Sequence, residues 1–220
     1  VITTAHLSVH ETSSDLSLHL APFSHEELGQ YIPFPEEYTR FNPVPPEGRL
    51  KTAEAIVATR AADEHDLAWG IYAGRQSVQS FIGVVSLSEV NAGTAEQAEW
   101  SSTVQEIHTG LFSSKWQSKG IGTLANLAVI AYALEHQDTH AVYAYTSEHN
   151  IGAHRSLEKV GFSHLSDHTY FDFKDGGMTQ SWMLADPKAQ EHLADSRAIL
   201  AEGWNRYQAA QQTIRLEENL

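Results

Sequence analysis

The residues best suited to chemistry form one short run: Gln117, Ser118, Lys119, Gly120, Ile121, Gly122 and Thr123. Two glycines flank one apolar residue there, at the point where a strand-like run gives way to a long apolar helix. Glycines let a backbone approach a ligand closely, and the first N–H groups of a helix have no acceptor within it. Together with the helix dipole, such donors bind phosphate oxygens, and Lys119 adds a positive charge beside them. A lone Gly-x-Gly also arises in ordinary turns, so the spacing alone carries little. Two better-known phosphate loops do not fit. No Gly-Lys-Ser/Thr ending is present, and the third glycine of a dinucleotide fingerprint falls on Ala125, after several antiparallel-looking strands. Thirteen histidines invite a metal hypothesis. His136 and His140 are four apart, but they end a helix and lack both an HExxH pattern and a carboxylate pair, so no metal is expected.

Hydrophobic patterning supplies the elements that must position this run. Residues 16–20 alternate apolar and polar, the mark of a half-buried strand, and helices are predicted over 24–31 and 50–65. Between them, residues 33–46 hold five of the seven prolines and form a stiff, irregular connection. Strands are predicted over 67–73, 81–87 and about 100–112, the last with a bulge at Gly110. The helix after the glycine loop covers 124–135, a buried strand 141–146, and a short helix 150–160 that stops at Gly161. Residues 169–173 and 178–184 read as a hairpin closed by Asp175-Gly176-Gly177. Asp186-Pro187 starts a C-terminal helix with Leu193, Leu200, Trp204, Tyr207 and Ile214 on one face. The order gives an α/β (α+β) fold divided as an irregular lead-in (1–14), a main domain (15–186) and a C-terminal helical extension (187–220).

Composition limits the function classes. A net charge of −14 argues against nucleic acid, which requires a basic surface, and it suits a cationic partner or simply solubility. With no cysteine, disulfides, thiolate metal sites and a cysteine nucleophile are excluded. No run approaches the ~18 apolar residues of a membrane span. The first residues lack the basic start and apolar run of a signal peptide, so a cytoplasmic location is expected and no membrane partner.

Context narrows the reading of the loop. Gln117-x-x-Gly120-x-Gly122 resembles the Q/R-x-x-G-x-G/A pyrophosphate loop of the GCN5-related N-acetyltransferases, the GNAT family. Downstream, Asn150-Ile151-Gly152-Ala153 and Leu157-Glu158-Lys159-Val160-Gly161-Phe162 resemble the family's second signature, N-x-x-A followed by L-E-K-x-G-F. One helix and one strand separate the two, as the family requires. Upstream, Phe81-Ile82-Gly83-Val84-Val85 is similar to its apolar third strand. The resemblance spans residues 16–184 and is nearest the RimJ/RimL-like branch, which acetylates protein N-termini and small amines. It implies a mixed, mostly antiparallel sheet of about six to seven strands, splayed between the family's fourth and fifth, flanked by helices and here carrying an extra C-terminal helix.

The resemblance also implies a chemistry, with acetyl-CoA as co-substrate. The strands ending near Phe112 and Thr146 would part around it. The loop amides would take the pyrophosphate, while backbone groups of Leu111, Phe112 and Ser113 would hold the pantetheine arm and polarise the thioester. Asn150, with His154 one turn further on, would contact the arm from the following helix. The amine attacks directly, so an ammonium of pKa ~8–10 must first lose a proton. Glu106 and His108 lie two apart on the fourth strand, share a face and are the candidate bases; a solvated carboxylate and a core histidine are the plain alternatives. The family's usual acids, a tyrosine or a serine, are replaced here by Leu157 and Ala153, which leaves His154, Ser156 or Tyr145. Tyr31, Phe34, Tyr38 and Phe41 either wall an acceptor site or anchor the proline-rich loop. The C-terminal helix packs on its own domain or, second, forms a homodimer. The expected activity is acetyl transfer to a small-molecule amine or a protein N-terminus. The alternative is a non-catalytic acyl-CoA-binding or regulatory module.

Overall fold

Period-two alternation decides which face of the sheet is buried. In the computed structural model, which describes residues 6–13, 16–24, 26–27, 67–75, 78–89, 104–168 and 175–219, Leu7 and Val9 of β1 (His6–Glu11) point inward. Leu18 and Leu20 of β2 (Ser17–Ala21) and Trp69 and Ile71 of β3 (Leu67–Arg75) continue the same buried face. The remaining strands are β4 (Val78–Glu89), β5 (Val104–Leu111), β6 (Ala141–Ser147), β7 (Ser163–His168), β8 (Thr179–Ala185) and β9 (Ile214–Asn219). They form one sheet in the order β7-β8-β6-β5-β4-β3-β2-β1-β9. Every neighbouring pair is antiparallel except β5 and β6.

Across this face lies α1 (Ile121–His136), which buries every residue from Leu124 to Ala133. Each fully buried Leu or Ile contributes about 1.5–3 kcal/mol relative to exposure, so this helix anchors the layer. Beside it lies α2 (Ile151–Val160), which ends as expected at Gly161 in the left-handed conformation (φ 112°). Asp186 caps α3 (Pro187–Gln190) by accepting from the Ala189 N–H at 2.8 Å, and α4 (Arg197–Gln211) follows. No described helix is long and apolar enough to cross a membrane.

The mixed, mostly antiparallel α/β architecture is as expected, but the sheet has nine strands rather than six or seven. The two additions come from the chain's first and last described segments. Residues 6–11, read as part of an irregular lead-in, form β1, and Ile214, read as part of the last helix, begins β9. The two pair with each other from Glu11–Ile214 to His6–Asn219. Two apolar positions in β1 and a charged β9 are too weak a periodic signal on their own; the pairing makes them strands. The sheet therefore draws strands from all three expected parts of the chain, and residues 187–220 are not a purely helical extension. Leu200 and Tyr207 are buried on α4 with Trp204 half-buried, whereas Leu193 precedes that helix.

Two local expectations also change. The β4–β5 ladder runs unbroken through Gly110, so no bulge lies there. The irregularity lies in β4 instead: Ile71 pairs with Gly83 and Tyr72 with Phe81, which makes Ile82 the extra residue. The partner of β8 is β7 at 163–168, upstream of the expected 169–173, which lies outside the described residues. Outside them too are the helix 50–65, residues 33–46 and most of 24–31.

Candidate active site: a parted sheet above a glycine loop

Strands β5 and β6 run parallel and then separate. They pair at Val104–Ala141, Gln105–Val142 and Glu106–Tyr143, after which β5 continues to Leu111 and β6 to Ser147 with no further shared ladder. Each keeps its other neighbour: β5 stays on β4 and β6 on β8. A wedge therefore opens in the middle of the sheet. Along a strand, alternate residues turn both peptide groups to the same side. The Phe112 N–H donates to the Ile82 carbonyl of β4 at 2.9 Å, so the peptide groups of Thr109 and Leu111 turn the other way, into the wedge. Of the three residues expected to hold a pantetheine arm, Phe112 is thus committed to β4. Ser113 caps a 3₁₀ turn (Ser114–Trp116), accepting from the Lys115 N–H with its Oγ and from the Trp116 N–H with its carbonyl. Leu111 remains turned to the opening.

The loop that follows leads directly to α1. Ser118 (φ 58°) and Gly120 (φ 80°) are both left-handed, which turns successive N–H groups toward one side. The helical ladder begins with the Leu124 N–H to the Gly120 carbonyl, so the amides of 118–123 precede it. Residues 117–120 are exposed, and a Cβ built on Gly122 would meet nothing closer than Ser156 Oγ at 4.0 Å. Room for a ligand therefore lies directly over the donors. Lys115 and Lys119 hold their ammonium groups 5.0 and 5.4 Å from the Trp116 ring, which keeps both charges beside the loop. Thr123 Oγ1 and Ser156 Oγ, 3.0 Å apart, tie the first turn of α1 to α2. Polyanion binding at the mouth of the wedge is the chemistry these groups fit.

On the other side of β5, Glu106 and His108 share a face as expected. The Glu106 carboxylate is buried, and its Oε1 lies 2.6 Å from Nε2 of the part-exposed His108. Tyr143 and Tyr145, two apart on β6, stack at 6.2 Å along the wedge's other edge, where Tyr143 pairs with Glu106. Among the described residues, no group of three His, Cys, Asp or Glu stands close enough to hold a metal ion.

A family model described as the acetyltransferase (GNAT) domain matches residues 17–163, from β2 to the start of β7. The chain belongs to the GNAT acetyltransferase family. Acetyl transfer from acetyl-CoA is the general activity that this membership carries. Solved structures of the same fold include a Vibrio cholerae spermidine N-acetyltransferase in complex with CoA and spermine. It has a TM-score of 0.61 and 15% identity, covering 78% of this chain and 97% of that one. Mycobacterium smegmatis RimJ in complex with CoA-disulfide gives a TM-score of 0.64 and 14% identity, covering 88% and 95%. An uncharacterised protein from Bacillus halodurans gives 0.64 and 12%, covering 95% and 99%. Comparison with curated proteins gives no match.

Within this GNAT domain the remaining expected site residues are placed as follows. Asn150 is the N-cap of α2, its Oδ1 accepting from the Ala153 N–H at 3.2 Å. His154 Nε2 lies 3.0 Å from the Ser147 carbonyl, and its ring packs 5.4 Å from Trp182. Burial pushes its pKa down, outweighing the Ser147 bond and Glu158. It therefore ties α2 to the end of β6 as a neutral imidazole. Leu157 is buried, so neither usual acid position carries a proton donor. Tyr31, Phe34, Tyr38 and Phe41 lie outside the described residues.

Two polar groupings in the acetyltransferase went unnoticed in the sequence. At the end of β6, Ser147 Oγ donates to Asp175 Oδ2 at 2.6 Å, and His149 Nδ1 lies 3.3 Å from the same oxygen. Burial raises the Asp175 carboxyl, but the Ser147 and Gly177 donors and nearby His149 together hold it below its ordinary value. Between β5 and α1, Thr109 Oγ1 donates to Asn126 Oδ1. A lone asparagine in an otherwise apolar helix was the available signal for the second; nothing in spacing linked 147, 149 and 175.

Proposed function

We propose that this chain moves the acetyl group of acetyl-CoA to a cationic primary amine, which attacks the thioester carbon directly. The observation that carries the reading is the parting of β5 and β6 after Glu106 and Tyr143, above the amides of 118–123. Those amides and Lys119 would take the pyrophosphate, and Asn150 would border the arm at the start of α2. The peptide groups of Thr109 and Leu111 would line the pantetheine arm, with the Leu111 N–H donating to the thioester oxygen as charge builds on it. His108 would accept the ammonium proton. With Nε2 held by Glu106, Nδ1 is the ring nitrogen left for this task, and a buried carboxylate stabilises the imidazolium that forms. A thiol of pKa ~8.5 leaves without an obligatory acid, so solvent protonation of CoA suffices.

The net charge of −14 supports a cationic acceptor, as does the spermine-bound fold relative. A protein N-terminus is the other acceptor class, supported by the likeness to RimJ. Tyr31, Phe34, Tyr38 and Phe41 are proposed as part of the acceptor wall. Leu157 and Ala153, which supply no acid, favour one second reading, a non-catalytic acyl-CoA-binding module. Free-thiol release with acetyl-CoA over polyamines, amino sugars and peptides, with products identified by mass spectrometry, separates them. Turnover on a polyamine with one added acetyl group is expected. Acetyl-CoA binding without thiol release on any amine would favour the second reading.

A further inference from the structure

Beside the wedge, where α1 meets β5, lies a polar group that acetyl transfer leaves unused. α1 presents an almost wholly apolar buried face, yet Asn126 is buried within it between Ala125 and Leu127. A buried carboxamide is costly unless hydrogen-bonded, so its partners need accounting. Its Oδ1 accepts from Thr109 Oγ1. Thr109 is exposed and sits on β5 three residues past Glu106, the last to pair with β6. Among the described residues, nothing accepts from Nδ2 of Asn126. Trp182 Nε1 is the fully buried side-chain nitrogen without a partner among them, and Asn126 Nδ2 is not of that kind. That donor therefore retains access to open space, and it is held beside Thr109, on the stretch of β5 that borders the parted sheet.

We infer that Asn126 reads the pantetheine arm of CoA, its Nδ2 donating to an amide carbonyl of the arm, with Thr109 as the positioning residue that fixes the carboxamide. This rests on the proposed acetyl-CoA site. The place along the helix suits the assignment: Asn126 lies four residues, about 6 Å, beyond Gly122. A ligand with phosphates at the loop and a thioester in the wedge brings its amide-bearing segment past this point. The chemistry is directional as well. Thr109 occupies the carbonyl oxygen of Asn126, which leaves a donor, so the complementary group is an acceptor such as an amide carbonyl. Leucine would fill the same volume without this selectivity.

The test compares two probes on three proteins. Affinities for CoA and for its pantetheine-free adenosine bisphosphate half are measured by calorimetry on wild type, Asn126→Leu and Thr109→Val, with circular dichroism confirming the fold. Asn126→Leu is expected to weaken CoA roughly three- to tenfold and leave the bisphosphate unchanged. Thr109→Val, which lets the carboxamide turn, is expected to weaken CoA by less and again spare the bisphosphate. If Asn126→Leu does not fold, the Thr109→Val result decides. Unchanged CoA affinity, or equal loss for both probes, overturns the inference. Failure of wild type to bind CoA would instead overturn the proposed function.

Discussion

At the scale of single residues, the proposed chemistry rests on His108 and its buried partner. If His108 takes the ammonium proton, His108→Gln should lower kcat by about 10²- to 10⁴-fold while leaving acetyl-CoA affinity unchanged. Steady-state kinetics beside calorimetry would check this, and an unaltered kcat would remove His108 from the reaction. His154 also has a structural role. Burial lowers its pKa in the folded state, so below the unfolded value of ~6.5 the unfolded chain binds the extra proton. Its contribution to stability is full above that value and declines as pH falls from there toward the lowered folded value. Urea melts at pH values on either side of 6.5 should show this loss, and His154→Gln should flatten it. These residues differ in how legible they were. Glu106 and His108 could be paired from period-two spacing alone, whereas the packing of His154 against Trp182 is a tertiary fact that no local pattern announces.

At the scale of elements, the helices are fixed by close approach. A Cβ on Gly203 of α4 would stand 2.4 Å from the Gly161 carbonyl, so the end of α2 and the middle of α4 meet backbone to backbone. Gly203→Ala must push them apart, and an overpacked contact of this kind costs about 1–3 kcal/mol. A lowered urea midpoint with an unchanged slope is the expected result. Because α2 also carries Ser156, which holds the first turn of α1, the shift should weaken CoA binding as well. α1, α2 and their caps were readable in the sequence because the apolar run, Asn150 and Gly161 are local signals. β1 and β9 were not, because strands with two apolar positions each acquire their identity from their partners, β9 from β1 some two hundred residues away and β1 from β2 as well. The bulge at Ile82 was likewise misplaced to Gly110, since glycine marks where a chain can bend and the register decides where it does.

At the scale of the whole molecule, a mostly antiparallel sheet continues through one parallel junction, and the proposed site lies at that junction. Where β5 and β6 part, each keeps a continuous ladder on its outer side, so the wedge opens within one sheet rather than between two. The loop motif and the second signature disclosed this arrangement from sequence, but the Thr109–Asn126 bond between β5 and α1 appeared only once the two elements were seen together. The central claim is that the amides of 118–123 hold the phosphates of acetyl-CoA. Gly120→Glu places bulk and negative charge among them. Left-handed strain at φ 80° costs about 1–2 kcal/mol, small against the ~5–15 kcal/mol that holds a domain folded. Calorimetric titration of acetyl-CoA into wild type and Gly120→Glu is therefore the most direct measurement. Saturable binding to wild type and none to a variant with an unchanged circular dichroism spectrum is the predicted result; equal affinity for both would contradict the account.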